Sequence, residues 1–157
     1  MKIIFLLLLL TSNILFAEYK NTNGAALEKS FSDMLKWIRS DKEPVLSSIE
    51  ISSEWKELNL ESDDNYAIWI GHSTYLIKKD GITVLTDPIF SERASPFKNI
   101  GPKRLIPPAI TIEEIPKIDY VTISHNHYDH LDVDSLEAIS KKYPETIFLV
   151  PAGDKKL

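Results

Sequence analysis

At 157 residues, with 43% apolar residues and a formal net charge of −5, the chain is long enough for one hydrophobic core and too apolar for a disordered segment. The acidic balance, with basic residues in short pairs such as Lys78-Lys79, Lys141-Lys142 and Lys155-Lys156, argues against nucleic acid as a partner. The absence of cysteine excludes disulfides, thiolate zinc ligands and a lipid-modified N-terminal cysteine.

The chain opens with Met1-Lys2, an apolar run from Ile3 to Leu10, less apolar residues and then Ala17, the layout of a secretory signal peptide over residues 1–17. The apolar run is well below the roughly 20 residues that span a bilayer, and Thr11-Ser12-Asn13 interrupts it. Export to the periplasm or the exterior is the expectation. An uncleaved membrane anchor is the alternative, because Leu15 sits where a small residue is preferred before a cut at Ala17.

Residues 18–64 read as a helix followed by a connector. Leu27, Phe31, Leu35 and Ile38 recur at helical spacing within residues 24–40, broadened by Met34 and Trp37, which predicts an amphipathic docking helix whose apolar stripe serves packing. Residues 41–64 are polar and weakly patterned. From residue 65 the character changes: Tyr66-Ala67-Ile68-Trp69-Ile70, Thr74-Tyr75-Leu76-Ile77 and Ile82-Thr83-Val84-Leu85-Thr86 are rich in aromatic and β-branched residues and predict three strands. Asp80-Gly81 tolerates positive φ, so the second and third strands should form a hairpin. Trp69 and Tyr75 are expected in the core.

Residues 87–116 hold six of the nine prolines, which removes backbone donors and predicts a long surface loop, a candidate wall of a site. Tyr120-Val121-Thr122-Ile123 follows as a buried strand. Asp134-Ser135-Leu136-Glu137 resembles a capping box opening a helix over residues 135–142, and residues 146–150 form another strand. Strand, loop, helix and strand in this order imply an α/β arrangement after an antiparallel start.

The chemistry concentrates in Ser124-His125-Asn126-His127-Tyr128-Asp129-His130, which holds every histidine except His72. In an extended loop, residues two apart point the same way, so His125 and His127 can grip one ion, and a following turn brings Asp129 and His130 to a neighbouring position. Imidazole and carboxylate suit zinc, with iron or manganese as alternatives. A metal-free loop of solvated or mutually bonded histidines would instead gather groups that charge together below neutral pH, for no gain. His72 reads equally as a supporting donor near the metals or as a histidine bonded to backbone at a tight turn. Asp87, ending a strand, either orients a ligand histidine or caps the turn.

The His-x-His-x-Asp-His pattern after an apolar strand resembles the metallo-β-lactamase superfamily. Three further segments, Trp69-Ile70-Gly71-His72-Ser73-Thr74, Leu85-Thr86-Asp87-Pro88-Ile89-Phe90-Ser91-Glu92-Arg93-Ala94-Ser95-Pro96 and Gly101-Pro102-Lys103-Arg104, make the chain similar to the branch of N-acyl-phosphatidylethanolamine-hydrolysing phospholipases D from about Tyr66 onward. The resemblance implies an α/β fold (α+β, four-layer), an αβ/βα sandwich in which two metals, usually zinc, activate water against a phosphodiester. By that similarity His125 and His127 belong to the first metal, and Asp129 and His130 to the second, with Asp129 also orienting the nucleophile. The implied substrate is phospholipid-like or another small phosphodiester, met at a membrane surface, with a lactonase-like or other ester hydrolase as the rival enzyme. Four of the seven ligands expected of the family occur before Leu157. Residues 65–157 are therefore expected to be the N-terminal half of the sandwich, truncated: an incomplete enzyme, an inactive remnant, or a binding half needing a partner chain that supplies the missing ligands. Such a half should leave one sheet face exposed.

Overall fold

The computed structural model describes residue 30, residues 32, 33, 35 and 36, and residues 51–154. The leader expected over residues 1–17 lies outside the described residues, as does most of the expected docking helix. The chain divides into two units, Met1–Val45 and Leu46–Leu157. In the first, Ser32, Asp33, Leu35 and Lys36 are helical, whereas Ser30, inside the predicted helix, is not. The Ser30 amide donates to Asp33 Oδ2 at 3.0 Å and the Asp33 amide to Ser30 Oγ at 3.2 Å. Reciprocal bonds of this kind satisfy donors that the start of a helix leaves open. Among the described residues, no helix is long and apolar enough to cross a membrane.

The second unit is built on one mixed sheet, β1 (Tyr66–Gly71), β2 (Thr74–Lys79), β3 (Ile82–Thr86), β4 (Tyr120–Thr122) and β5 (Ile147–Leu149), with helix α1 (Val133–Lys142) between β4 and β5. The spatial order is β1-β2-β3-β4-β5. The first three strands run antiparallel, and β4 and β5 are parallel to β3. The β2–β3 turn follows from its residues: Asp80 and Gly81 take φ of 49° and 80°, the paired positive values that match the twist of a two-residue hairpin.

Alternation along the strands selects the buried face. Ile68, Ile70, Leu76, Leu85 and Val121 point inward and meet Ile139 of α1, with Ile110, Ile112 and Ile115 closing the cluster. Burial of each such side chain contributes roughly 1.5–3 kcal/mol, so most of the unit's stability sits on this face. On the opposite face Trp69 is 48% and Tyr75 42% exposed, and Ile147 and Leu149 are exposed on the far edge strand β5. This corrects the expectation that Trp69 and Tyr75 are core residues: register places them on the face opposite Ile68, Ile70 and Leu76. In the expected connector, Glu54–Glu57 forms a 3-10 turn from which Trp55 packs on the core, joined by Leu60.

Two local expectations change. Helix α1 begins at Val133 with Asp132 as its N-cap, and the Asp132 side chain makes no capping bond to the helix backbone. Its carboxylate serves the proline-rich segment instead: Oδ2 accepts from the Phe90 amide at 3.2 Å, from the Ser91 amide at 2.9 Å and from Ser135 Oγ, and Oδ1 accepts from Ser91 Oγ at 2.9 Å. The reciprocal capping arrangement occurs at Thr111 and Glu114 rather than at Asp134 and Glu137.

The segment over residues 87–116 is also more than a surface loop. Pro88, Ile89, Ile110, Ile112 and Ile115 are buried at its ends, and it carries the crossover from β3 to the parallel β4. Arg104 ties it together from within by donating to the carbonyls of Ile89, Ser91 and Ile106. An isolated bridge between Arg93 and Lys103 closes a projecting tip that exposes Phe97 and Ile100. At the other end of α1, Lys142 Nζ donates to the Ile112, Glu113 and Ile115 carbonyls, so that the helix C-terminus holds the last turn of the crossover.

Candidate metal centre

Parallel pairing puts the candidate residues on one rim. Thr86 at the end of β3 is aligned with Thr122 at the end of β4, so the chain leaves both strands at the same level. Asp87 comes immediately after β3, with φ of 36° and its amide bonded to the Thr122 carbonyl at 2.8 Å. Its carboxylate faces the loop after β4. Oδ1 accepts from the Ser124 amide at 2.6 Å, while Oδ2 accepts from Ser124 Oγ at 2.8 Å and meets His130 Nδ1 at 2.9 Å. Asp87 thus both fixes the turn and orients a histidine, uniting the two roles that the sequence left open.

These bonds favour one placement of the Nδ1 protons. Burial alone raises the Asp87 carboxyl, but the hydrogen bonds from His130 and Ser124 and the charge of His130 outweigh it and hold the group below its ordinary value. An ionised Asp87 accepts only, so His130 donates to it through Nδ1. Ser124 Oγ, having given its proton to Asp87, accepts from His125 Nδ1 at 2.9 Å, which leaves the lone pair of His125 on Nε2. Burial, followed by the nearness of His130 and His127, lowers the pKa of His125 and favours the neutral imidazole that a metal requires.

The loop then turns back on itself. The amides of His130 and Leu131 both donate to the His127 carbonyl, at 2.9 and 2.7 Å. His125 Nε2 and His127 Nδ1 face each other at 3.1 Å, one pair of donors. Asp129 Oδ2 lies 3.6 Å from His130 Nε2, a second pair. The rings of His125 and His130 are 4.0 Å apart between centroids, so the two pairs adjoin. The expectation that the turn after His127 delivers Asp129 and His130 to a neighbouring position agrees with this geometry.

His72 enters from the β1–β2 turn. Its backbone is left-handed, with φ of 51°, and its carbonyl accepts from the Trp69 indole at 2.9 Å. Among the described residues the ring is bonded to no backbone group; it meets Asp129 Oδ2 through Nε2 at 3.2 Å and packs edge-on to His130. His72, Asp129 and His130 each offer an atom within 4.8 Å of the other two.

Every candidate read from the sequence is brought to this rim: His125, His127, Asp129, His130, His72 and Asp87. Sequence reasoning missed Ser124, which links Asp87 to both His125 and His130, and Asp132, which anchors the crossover beside the site. Ser124 leads the histidine motif, yet only the parallel register reveals Asp87 opposite it. Imidazole nitrogens beside a carboxylate are a donor set that fits a divalent metal. Next to the rim, a cleft of about 610 Å³ is lined by Arg93, Phe97, Lys98, Tyr128 and Asp134 among others.

Comparison with known proteins accords with this geometry. A beta-lactamase superfamily domain profile matches residues 67–155. The chain is 37% identical to N-acyl-phosphatidylethanolamine-hydrolyzing phospholipase D 1 of Caenorhabditis elegans, over 74% of this chain and 33% of that protein. It is 38% identical to the mitochondrial N-acyl-phosphatidylethanolamine-hydrolyzing phospholipase D of Saccharomyces cerevisiae, over 71% of this chain and 23% of that protein. A UPF0173 metal-dependent hydrolase of Lawsonia intracellularis is 41% identical over 41% of this chain and 23% of its own length. The chain therefore spans a third or less of these relatives. The mixed five-stranded sheet follows the α/β plan of the metallo-β-lactamase fold, and the chain belongs to the beta-lactamase superfamily.

Proposed function

We propose that this chain supplies the histidine–aspartate part of a two-metal centre in a phosphodiesterase acting on a phospholipid-like substrate. The observation that carries the reading is the convergence on one rim of two donor pairs, His125 Nε2 with His127 Nδ1 and Asp129 Oδ2 with His130 Nε2. His125 and His127 would hold one ion, and Asp129 and His130 the other. Zinc is the expected metal, with iron or manganese as alternatives. Such ions supply Lewis acidity toward a phosphoryl oxygen and make water acidic enough to react near neutral pH.

The chain's own residues do the positioning. Ser124 and Asp87 orient His125 and His130 through their Nδ1 atoms, and Asp129 Oδ1, which makes no hydrogen bond among the described residues, can accept one from the attacking water and orient it. The neighbouring cleft supports the substrate class: Arg93 and Lys98 offer cations to a phosphodiester, and Phe97 and Tyr128 offer apolar surface to an acyl chain. The similarity to two phospholipases D points the same way. Export through the leader would bring the site to a membrane surface outside the cytoplasm.

The test is metal content and hydrolysis together. Purified chain exposed to zinc should hold it, His127→Ala should hold less, and chelator should abolish any hydrolysis of N-acylphosphatidylethanolamine. Soluble, folded protein that takes up no zinc, iron or manganese would remove the basis of the proposal. A second reading, a non-catalytic half awaiting another polypeptide, is favoured by the exposed apolar residues Trp69, Tyr75, Ile147 and Leu149. In that case metal binds without hydrolysis, and activity appears only when a chain bearing further ligands is added.

A further inference from the structure

We infer that His72 is itself a metal ligand, joining Asp129 and His130 on one ion, an inference that rests on the metal-centre reading above. The argument is geometric. Two donors about 2.0–2.1 Å from a tetrahedral ion lie ~3.3 Å apart. His72 Nε2 to Asp129 Oδ2 is 3.2 Å and Asp129 Oδ2 to His130 Nε2 is 3.6 Å, both near that edge length. All three atoms fall within 4.8 Å of one another, so a modest rotation of either imidazole closes the triangle.

The surroundings favour coordination over a chance encounter. His130 is already committed through Nδ1 to Asp87 and can offer only Nε2. His72 is delivered by a tight turn between paired strands, with Gly71 opposite Thr74 in the register, so its Cα is fixed by the sheet rather than by a wandering loop. Its left-handed backbone, uncommon outside glycine and asparagine, is held there with the ring aimed at the two other donors. Asp129, in turn, lies 57 positions further along the chain, so the contact joins the β1–β2 turn to the loop after β4.

Coordination and a plain hydrogen bond from His72 to Asp129 make different demands on residue 72. Glutamine can donate a hydrogen bond toward Asp129 but is a poor zinc ligand, and asparagine tolerates the left-handed backbone without supplying imidazole. The experiment loads the full chain with zinc, and separately with cobalt(II), and compares it with His72→Gln and His72→Asn. Metal per chain is read by mass spectrometry, affinity by competition with a chromophoric chelator, and the ligand field by cobalt absorption, with circular dichroism to register folding. Expected are a roughly tenfold or greater loss of affinity for one ion and an altered cobalt spectrum in both variants. Metal bound by the natural chain and held with equal affinity and an identical spectrum by a folded His72→Gln overturns the role of His72 alone. No metal in the natural chain overturns the metal centre and this inference together.

Discussion

Asp87 and His130 meet at 2.9 Å, Oδ2 against Nδ1, and this contact joins the end of β3 to the last histidine of the loop after β4. Because the same carboxylate also holds the Ser124 amide and hydroxyl, one side chain sets the conformation of the loop and the tautomer of a donor. Asp87→Asn presents an amide that cannot accept from all three groups at once. Metal affinity should fall by about 10–100-fold while the chain remains folded. Competition with a chromophoric chelator measures it, and an unchanged affinity would show that His130 needs no support from residue 87.

Asp132 tests the crossover rather than the centre. It is buried, and its carboxylate accepts from the Phe90 and Ser91 amides and the Ser91 hydroxyl, more than 40 positions away, and from the nearby Ser135 hydroxyl. Asp132→Ala strands those donors and should cost about 2–4 kcal/mol in chemical denaturation. A loss below roughly 0.5 kcal/mol would mean that water replaces the carboxylate without penalty.

Acid should weaken the fold through Asp119 and Glu114. For Asp119, burial raises the carboxyl, but Lys117 at 2.6 Å and the Thr83 amide at 2.8 Å outweigh it and hold the group below its ordinary value. The Thr111 amide and hydroxyl likewise lower Glu114. A carboxylate whose folded pKa lies under its unfolded value stabilises the protein above the unfolded value, near pH 4, and that contribution disappears as pH falls through the folded one. Unfolding followed from pH 6 downward should show stability declining below about pH 4. Asp119→Asn should flatten that decline, and an equally steep profile in the variant would assign acid sensitivity elsewhere.

Two glycines separate backbone from packing effects. At Gly81, with φ of 80°, an added Cβ meets nothing within 4 Å, so Gly81→Ala should cost only the left-handed backbone, about 1 kcal/mol. At Gly101, with φ of 110°, the Cβ would approach Ser95 Cβ to 2.6 Å, so Gly101→Ala should cost more, by distorting the tip between Arg93 and Lys103. Thermal unfolding midpoints rank the two, and a larger fall for Gly81→Ala would contradict the geometry at Gly101.

The strands and the hairpin turn were legible because their signals are local, β-branched runs and Asp80-Gly81, and the helix expected over residues 135–142 lies at Val133–Lys142. The donor cluster was legible for the same reason, since His125, His127, Asp129 and His130 adjoin in sequence. What escaped notice depends on register. Trp69 and Tyr75 are as apolar as the residues they alternate with, so nothing in the sequence says which sheet face the helix covers. Ser124 gains its function only once Asp87 is aligned opposite it, and Asp132, placed to cap a helix, is diverted by the Phe90 and Ser91 amides some 40 positions earlier.

The left-handed backbone at His72 and Asp87 implies a conflict between durability and chemistry. Each conformation costs a non-glycine residue on the order of 1 kcal/mol, and both occur where side chains converge on the rim. A screen that rewards heat resistance alone should therefore accumulate glycine or asparagine at position 72, gaining a few degrees while discarding an imidazole, whereas Asp87, whose carboxylate holds the Ser124 amide and hydroxyl, should persist. Persistence of histidine at position 72 under such a screen would mark a site whose occupancy itself stabilises the fold.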